Sequence, residues 1–233
     1  MKIGVLALQG AFREHVAAVR RLGVEAVEVR LPEQLLDCDG LILPGGETTT
    51  QRKLARNSGL WEPLRDLGKQ GLPLLATCAG LIHLSRKVDL PEGYSREPGA
   101  EAGEKNCLGL LDVDVLRNAY GRQVFSFEAL LEVRGLDRFP GASSPFPALF
   151  IRAPRITRTG PDVSVLGTWD REPVVVEQDN ILALTFHPEL TRDDRFHQYF
   201  LRRVEERRAS PRRPGRDRQP SCDLPSAPTS ALP

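Results

Sequence analysis

The 233 residues are 40% hydrophobic and 27% charged, an ordinary globular balance in a chain long enough for one substantial core. A formal net charge of +1 gives no bulk attraction to nucleic acid or to an acidic surface, and no apolar run reaches the roughly 20 residues that cross a bilayer. The four cysteines, Cys38, Cys78, Cys107 and Cys222, form no C-x-x-C pair, so neither a zinc site nor a disulfide framework is expected and a reduced, cytoplasmic setting is the simplest reading.

The predicted elements alternate in the first half. Ile3 to Leu8 is a nearly continuous apolar run, the pattern of a strand buried on both faces; with no small-residue cleavage site after it, it reads as a strand and not a signal peptide. Ala11 to Leu22 places Phe12, Val16, Val19 and Leu22 at helical spacing, and Gly23 stops it. A second strand is expected over Val24 to Arg30, a short helix over Pro32 to Asp37, and a third strand over Gly40 to Leu43. Thr50 to Gln70 is helical, broken at Asn57-Ser58-Gly59. Leu72 to Ala76 forms a fourth strand, with a helix starting after Cys78.

Asp89 to Asn106 is rich in Gly, Glu and Pro and reads as a loop. Strand signal then dominates: Leu111 to Val115, Val124 to Val133, Ala148 to Ile151, Val163 to Gly167, Pro173 to Glu177 and Ile181 to Phe186. Thr191 to Arg208 is the last helix, with Thr191 as its cap and its arginines toward the negative end. Residues 1–208 are expected to form one domain and 209–233 a disordered Pro/Arg/Ser-rich tail. The order implies an α/β fold, a three-layer arrangement with a largely parallel or mixed central sheet between helices.

Ligand sites in such sheets gather at the carboxyl ends of strands. Gln9-Gly10, Pro44-Gly45-Gly46-Glu47 and Thr77-Cys78-Ala79-Gly80 all fall there. Cys78 sits between a strand and a helix, as a nucleophile does on an elbow, where helix N–H groups favour a thiolate and can hold an oxyanion. That segment alone is equally compatible with a small buried core cysteine. Phe186-His187-Pro188-Glu189 supplies what a thiol needs, a base and a carboxylate to orient it, on side chains that face the same way if the segment is extended. By itself it is also compatible with a surface His-Pro turn. His15, His83 and His197 read as structural or exposed.

Taken in order, Gly45-Gly46-Glu47, Thr77-Cys78-Ala79-Gly80 and His187-Pro188-Glu189 resemble the class I, triad-type glutamine amidotransferases, whose sheet is flavodoxin-like. Leu6 to His15, Arg117 to Gln123, Phe150 to Pro154 and Phe186 to Thr191 resemble one branch of them, the glutaminase subunits of pyridoxal 5′-phosphate synthase, over residues 2 to about 205. The resemblance implies that Cys78 attacks the glutamine side-chain amide, that His187 activates the thiol and protonates the leaving ammonia, and that Glu189 orients His187. It implies an oxyanion site at the N–H groups of Gly46 and Ala79, substrate binding by Gly46, Glu47, Thr48, Arg117, Ile151 and Arg152, and a partner-coupled role for Gln9. It further implies L-glutamine as substrate, a hetero-oligomer with a (β/α)₈-barrel synthase subunit that builds pyridoxal 5′-phosphate from a pentose phosphate and a triose phosphate, and neither metal nor cofactor in this subunit; no nucleic acid or membrane partner is expected.

The sequence departs from the branch where Ala76 replaces a usual Gly, Thr48 a usual Ser and Leu116 an acidic residue, and in longer segments at 89–106 and 140–147. Three rival readings are a triad glutaminase serving another synthase, a scaffold with a dead site, and a cysteine hydrolase acting on peptides or γ-glutamyl compounds.

Overall fold

The computed structural model describes residues 1–90, 106–117, 126–139 and 145–209. Most of the loop expected at 89–106, the 118–123 motif, residues 140–144 and the tail from 210 lie outside the described residues. The elements run β1 (Lys2–Leu6), α1 (Phe12–Arg21), β2 (Glu25–Val29), α2 (Pro32–Leu35), β3 (Gly40–Leu43), α3 (Thr48–Asn57), α4 (Trp61–Lys69), β4 (Leu74–Thr77), α5 (Ala79–Leu84) and β5 (Ser85–Asp89). They continue with β6 (Leu111–Leu116), β7 (Ser126–Leu131), β8 (Phe146–Ile151), β9 (Arg155–Thr159), β10 (Ser164–Trp169), β11 (Glu172–Gln178), β12 (Ile181–Leu184) and α6 (Arg195–Ala209).

Seven strands among the described residues form the central sheet, in the order β10-β11-β12-β4-β3-β1-β2. The five from β12 to β2 are parallel, and β10 and β11 extend the sheet antiparallel. The continuous apolar runs exist because both faces are covered. Ile42, Leu75, Leu182 and Leu184 point into one core with Val16 and Val19 of α1 and Phe196, Phe200 and Val204 of α6. Their chain neighbours Leu41, Leu43, Leu74, Ala76, Ile181 and Ala183 point into the opposite core with Ala55, Trp61, Leu64 and Leu81 of α3, α4 and α5. This period-2 split makes three layers, as expected.

Two smaller sheets flank it, β5-β6-β9 and the antiparallel ribbon β7-β8. An aromatic cluster seats the ribbon: Phe127 stacks on Phe150 with centroids 4.6 Å apart, Phe150 lies 5.3 Å from Phe186, and Phe146 packs edge-on to Phe196 at 4.6 Å. Rings so arranged contribute both buried apolar area and favourable quadrupole geometry.

Two expectations need correction. β5 and β9 form strands that the sequence pattern does not announce. The last helix begins at Arg195 rather than Thr191. Thr191 instead closes the preceding turn, accepting from the Asp193 N–H at 3.2 Å, while Asp193 Oδ1 accepts the Arg195 N–H at 3.1 Å. His15, His83 and His197, expected to be structural or exposed, are all buried.

Candidate active site

β4 is wholly buried and its ladder runs on into the turn, the Cys78 N–H donating to Leu184 O at 2.9 Å. At Cys78 the backbone turns sharply, with φ 46° and ψ −102°, a conformation that L residues adopt only when the surroundings enforce it. The enforcement is visible: α5 starts at the next residue, and a Cβ at Gly80 would run into Leu43 O. The Cys78 side chain is thereby lifted off the strand end; its Sγ lies 3.9 Å from Ile151 O on β8.

β12 ends at Leu184, and the buried Phe186 anchors the chain before His187. The His187 N–H donates to Leu149 O at 2.9 Å, so the ribbon fixes this histidine's backbone. Residues Pro188–Leu190 form a single 3-10 turn and not the extended segment expected, because the proline ring presets φ for a helical turn. The turn carries Glu189 beneath the imidazole, Oε1 to Nδ1 at 2.7 Å. The ring itself packs on Gly45, where any Cβ would collide with it. Burial opposes a proton on His187, but hydrogen bonds to Cys78 and Glu189 outweigh it and raise the pKa to about 10. Burial alone would raise the Glu189 pKa; the nearby His15 and His187 hold it below the usual range.

The glycine turn completes the site. The Gly45 N–H donates to Thr77 Oγ1 at 3.0 Å, and Gly45 O accepts the Ala11 N–H at 3.2 Å. Gly10, with φ 98°, is required here, since a Cβ would meet Gly45 O. Gln9 Oε1 accepts the Glu47 N–H at 2.7 Å, and Gln9 O accepts from Gln51 Nε2 at 2.8 Å. Gly46 is wedged against both amides. Because Gln51 Nε2 is the donor, its Oε1 accepts from His83 Nε2 at 3.0 Å. Glu47 caps α3 through the Thr49 and Thr50 N–H groups, at 2.9 and 2.6 Å, and its carboxylate lies 3.5 Å from Arg117 Nη2. Partial burial would raise the Glu47 pKa, yet these donors and Arg117 lower it to about 2. Thr48 is buried at the start of α3, Ala79 opens α5, and Arg152 follows β8 in a left-handed conformation with φ 47°.

The residues singled out in the sequence thus come to the carboxyl ends of β1, β3, β4 and β12 and to the ends of β6 and β8, Arg117 following β6 and reaching Glu47. The sequence reading gives no site role to Thr77, Gln51, His83 or His15. His15 Nε2 lies 3.4 Å from Glu189 Oε2. A signal was present: Phe12, His15, Val16 and Val19 share the i, i+3, i+4, i+7 stripe of α1, and His197 holds the same relation to Phe200, Leu201 and Val204 on α6. A polar residue on a core stripe needs a buried partner.

Comparison with known proteins identifies the family and the fold. The family model of the SNO glutamine amidotransferases matches residues 5–206. The pyridoxal 5′-phosphate synthase subunit PdxT of Thermotoga maritima is 50% identical over 205 residues, 88% of this chain and all of that protein. PdxT of Dehalococcoides mccartyi is 51% identical over 202 residues, 86% of this chain and 96% of that one. A crystal structure of a glutamine amidotransferase superposes with a TM-score of 0.75 at 47% identity, covering 87% of this chain and 98% of the other. PurLQS from Thermotoga maritima shares the fold at 18% identity, with a TM-score of 0.63 over 86% of this chain and 97% of that chain. The elbow, the glycine turn and the His-Pro-Glu turn therefore sit in the frame of a known group, and the chain belongs to the SNO glutamine amidotransferase family.

Proposed function

We propose that this chain hydrolyses L-glutamine to L-glutamate and ammonia through a thioester on Cys78, and that it delivers the ammonia to a barrel synthase that makes pyridoxal 5′-phosphate. The observation that carries the reading is the Cys78 elbow facing a buried His187–Glu189 pair.

His187 takes the Cys78 thiol proton, and the sulfur forms a bond to the amide carbon of the glutamine side chain. The oxyanion so formed is held by the N–H groups of Gly46 and Ala79, at the glycine turn and the start of α5. Collapse breaks the carbon–nitrogen bond, and the proton on His187 passes to the departing nitrogen to give ammonia. Water then attacks the thioester, giving its proton to His187; the carbon–sulfur bond breaks, glutamate leaves and the thiol is restored. Glu189 keeps the His187 tautomer and orientation throughout. Arg117 is suited to grip the substrate's α-carboxylate with two hydrogen bonds, and Glu47 to meet its ammonium. By the resemblance Thr48, Ile151 and Arg152 are assigned to substrate binding, with Ile151 O 3.9 Å from Cys78 Sγ, and Gln9, bonded to the glycine turn, is assigned to coupling with the partner.

Support comes from the family membership and from two PdxT proteins at about half identity, named as subunits of pyridoxal 5′-phosphate synthase. The test is glutamate release from glutamine with and without the barrel synthase, beside Cys78→Ala. Release that rises with the synthase and vanishes in the variant supports the proposal. Strong release indifferent to that synthase reassigns the client, and no release in either condition from folded protein removes the enzymatic reading.

A further inference from the structure

Two fully buried histidines stand behind the site and have no part in the steps above. His15 on α1 and His197 on α6 meet with His15 Nδ1 3.0 Å from His197 Nε2. On its other side His15 Nε2 lies 3.4 Å from Glu189 Oε2 and 3.2 Å from Thr77 Oγ1. Among the described residues neither Glu189 Oε2 nor His197 Nδ1 has a hydrogen-bond partner.

These contacts select one pair of tautomers. Each neutral imidazole carries a single N–H. A hydrogen on His197 Nδ1 would be a buried donor with nothing to bond, which costs about 1–3 kcal/mol. Placed on Nε2, it is donated to His15 Nδ1. His15 must then carry its own hydrogen on Nε2, where it faces the Glu189 carboxylate and the Thr77 hydroxyl. The titratable and charged groups around His15 are Glu189 and His187 from the turn after β12, Glu14 on its own helix, and His197. Burial is the largest influence and lowers the His15 pKa against the pull of Glu189, so a neutral ring edge lies 3.4 Å from the carboxylate while its Nε2 hydrogen bond goes to Thr77 Oγ1.

We propose that His15 is a positioning residue for the reaction: its Nε2–H is donated to the Thr77 hydroxyl that fixes Gly45, its ring edge lies beside Glu189 Oε2, and His197 sets its tautomer. Glu189 then has His187 hydrogen-bonded at Oε1 and the His15 ring edge packed beside Oε2. Thr77 ties the same imidazole to the turn on which the His187 ring rests.

The inference rests on the triad reading, so the first control is the unaltered protein with its synthase and glutamine: failure there strikes that reading and not this one. Against an active parent, His15→Leu is expected to lower kcat about 10- to 100-fold with KM for glutamine within about threefold, in the range of losses at groups that orient a working ligand or base. His15→Gln, whose amide can supply the donor, should recover at least fivefold of that loss. The pH profile of Cys78 alkylation by iodoacetamide should move in His15→Leu and return toward the parent in His15→Gln, a change that simple loosening of the core does not produce. His197→Leu, remote from the reacting atoms, should lower kcat by a few-fold through loss of the tautomer lock, and it keeps the idea testable if His15→Leu does not fold. The proposal is overturned if folded His15→Leu keeps kcat within twofold of the parent, if Gln restores no more than Leu, or if the alkylation profile stays fixed in all three variants.

Discussion

His187 and His83 lie on opposite sides of the Cys78 elbow, both buried and both hydrogen-bonded, yet they bind protons with opposite strength. On the β12 side, His187 meets a carboxylate 2.7 Å away and the Cys78 thiol, and its pKa climbs to about 10. On the α3 side, His83 meets the neutral amide of Gln51; burial, with the charges of Arg52 and Arg117, drives its pKa down to about 3. Burial is thus common to both, and the neighbours decide the sign. The base is made by the anion placed behind it, while the histidine that supports the glycine turn is kept neutral by having no anion within reach of a hydrogen bond. His83 holds Gln51, Gln51 holds the Gln9 carbonyl, and Gln9 holds Glu47. That neutral relay positions without competing for a proton.

The sharpest way to break the contrast is to remove the anion. Glu189→Gln keeps the shape of the side chain and loses its charge, so the His187 pKa should fall and kcat for glutamine hydrolysis should drop roughly 10²- to 10⁴-fold. Steady-state kinetics checks the rate; Cys78 alkylation against pH checks that the loss lies in the base, and an unchanged profile would sink the electrostatic account.

Next in size is the acid sensitivity of the neutral side. The folded His83 pKa is depressed, so at pH values below about 6.5 the unfolded chain takes up a proton that the native state refuses, and stability falls as pH falls. The slope from this group is roughly 1.4 kcal/mol per pH unit over much of the window between 6.5 and 3. Urea midpoints at pH 7 and pH 5 should differ less in His83→Gln than in the parent, because that variant has no proton to bind. His187 has the opposite sign: its contribution is whole below pH 6.5 and is lost as pH rises toward 10.

The smallest effect belongs to Glu47. Replacing it with Gln weakens the cap on α3 by about 1 kcal/mol at neutral pH. Its lowered pKa means that the carboxylate's contribution is present above about 4.5 and lost as pH falls toward 2, so the deficit of Glu47→Gln should shrink in acid. A thermal melt series at pH 7 and pH 3 measures it; a deficit that grows in acid would contradict the capping account.

Much of this was legible in the sequence because strong signals coincide there. β1, β3 and β4 are short apolar runs that end in glycine turns or the elbow, and strands buried on both faces cannot hide their composition. The His-Pro-Glu string follows another such run. β5 and β9 were illegible for the converse reason: Ser85–Asp89 and Arg155–Thr159 carry charges at alternate or adjacent positions, and Ile156 is the single buried apolar side chain of β9. Their pairing is decided by β6 between them, a long-range partner that no local window contains. The start of α6 is ambiguous in the sequence because Thr191 and Asp193 are both good capping types, and their competition is resolved only by the turn that precedes the helix. The buried histidines carry no sign of a site role because one polar residue has no periodicity of its own; only the apolar stripe on either side marks them as interior.

The nucleophile belongs to the central sheet, whereas the base is held by the ribbon through the Leu149 carbonyl and arrives with a turn far along the chain. During synthesis the ribosome therefore releases the Cys78 segment well before it releases His187 and Glu189. Throughout that interval the nascent chain carries a thiol with no general base, and a truncated product ending ahead of residue 187 would carry one for its whole lifetime. Arming the sulfur is left to the last stage of manufacture, which spares the cell a half-made amidase.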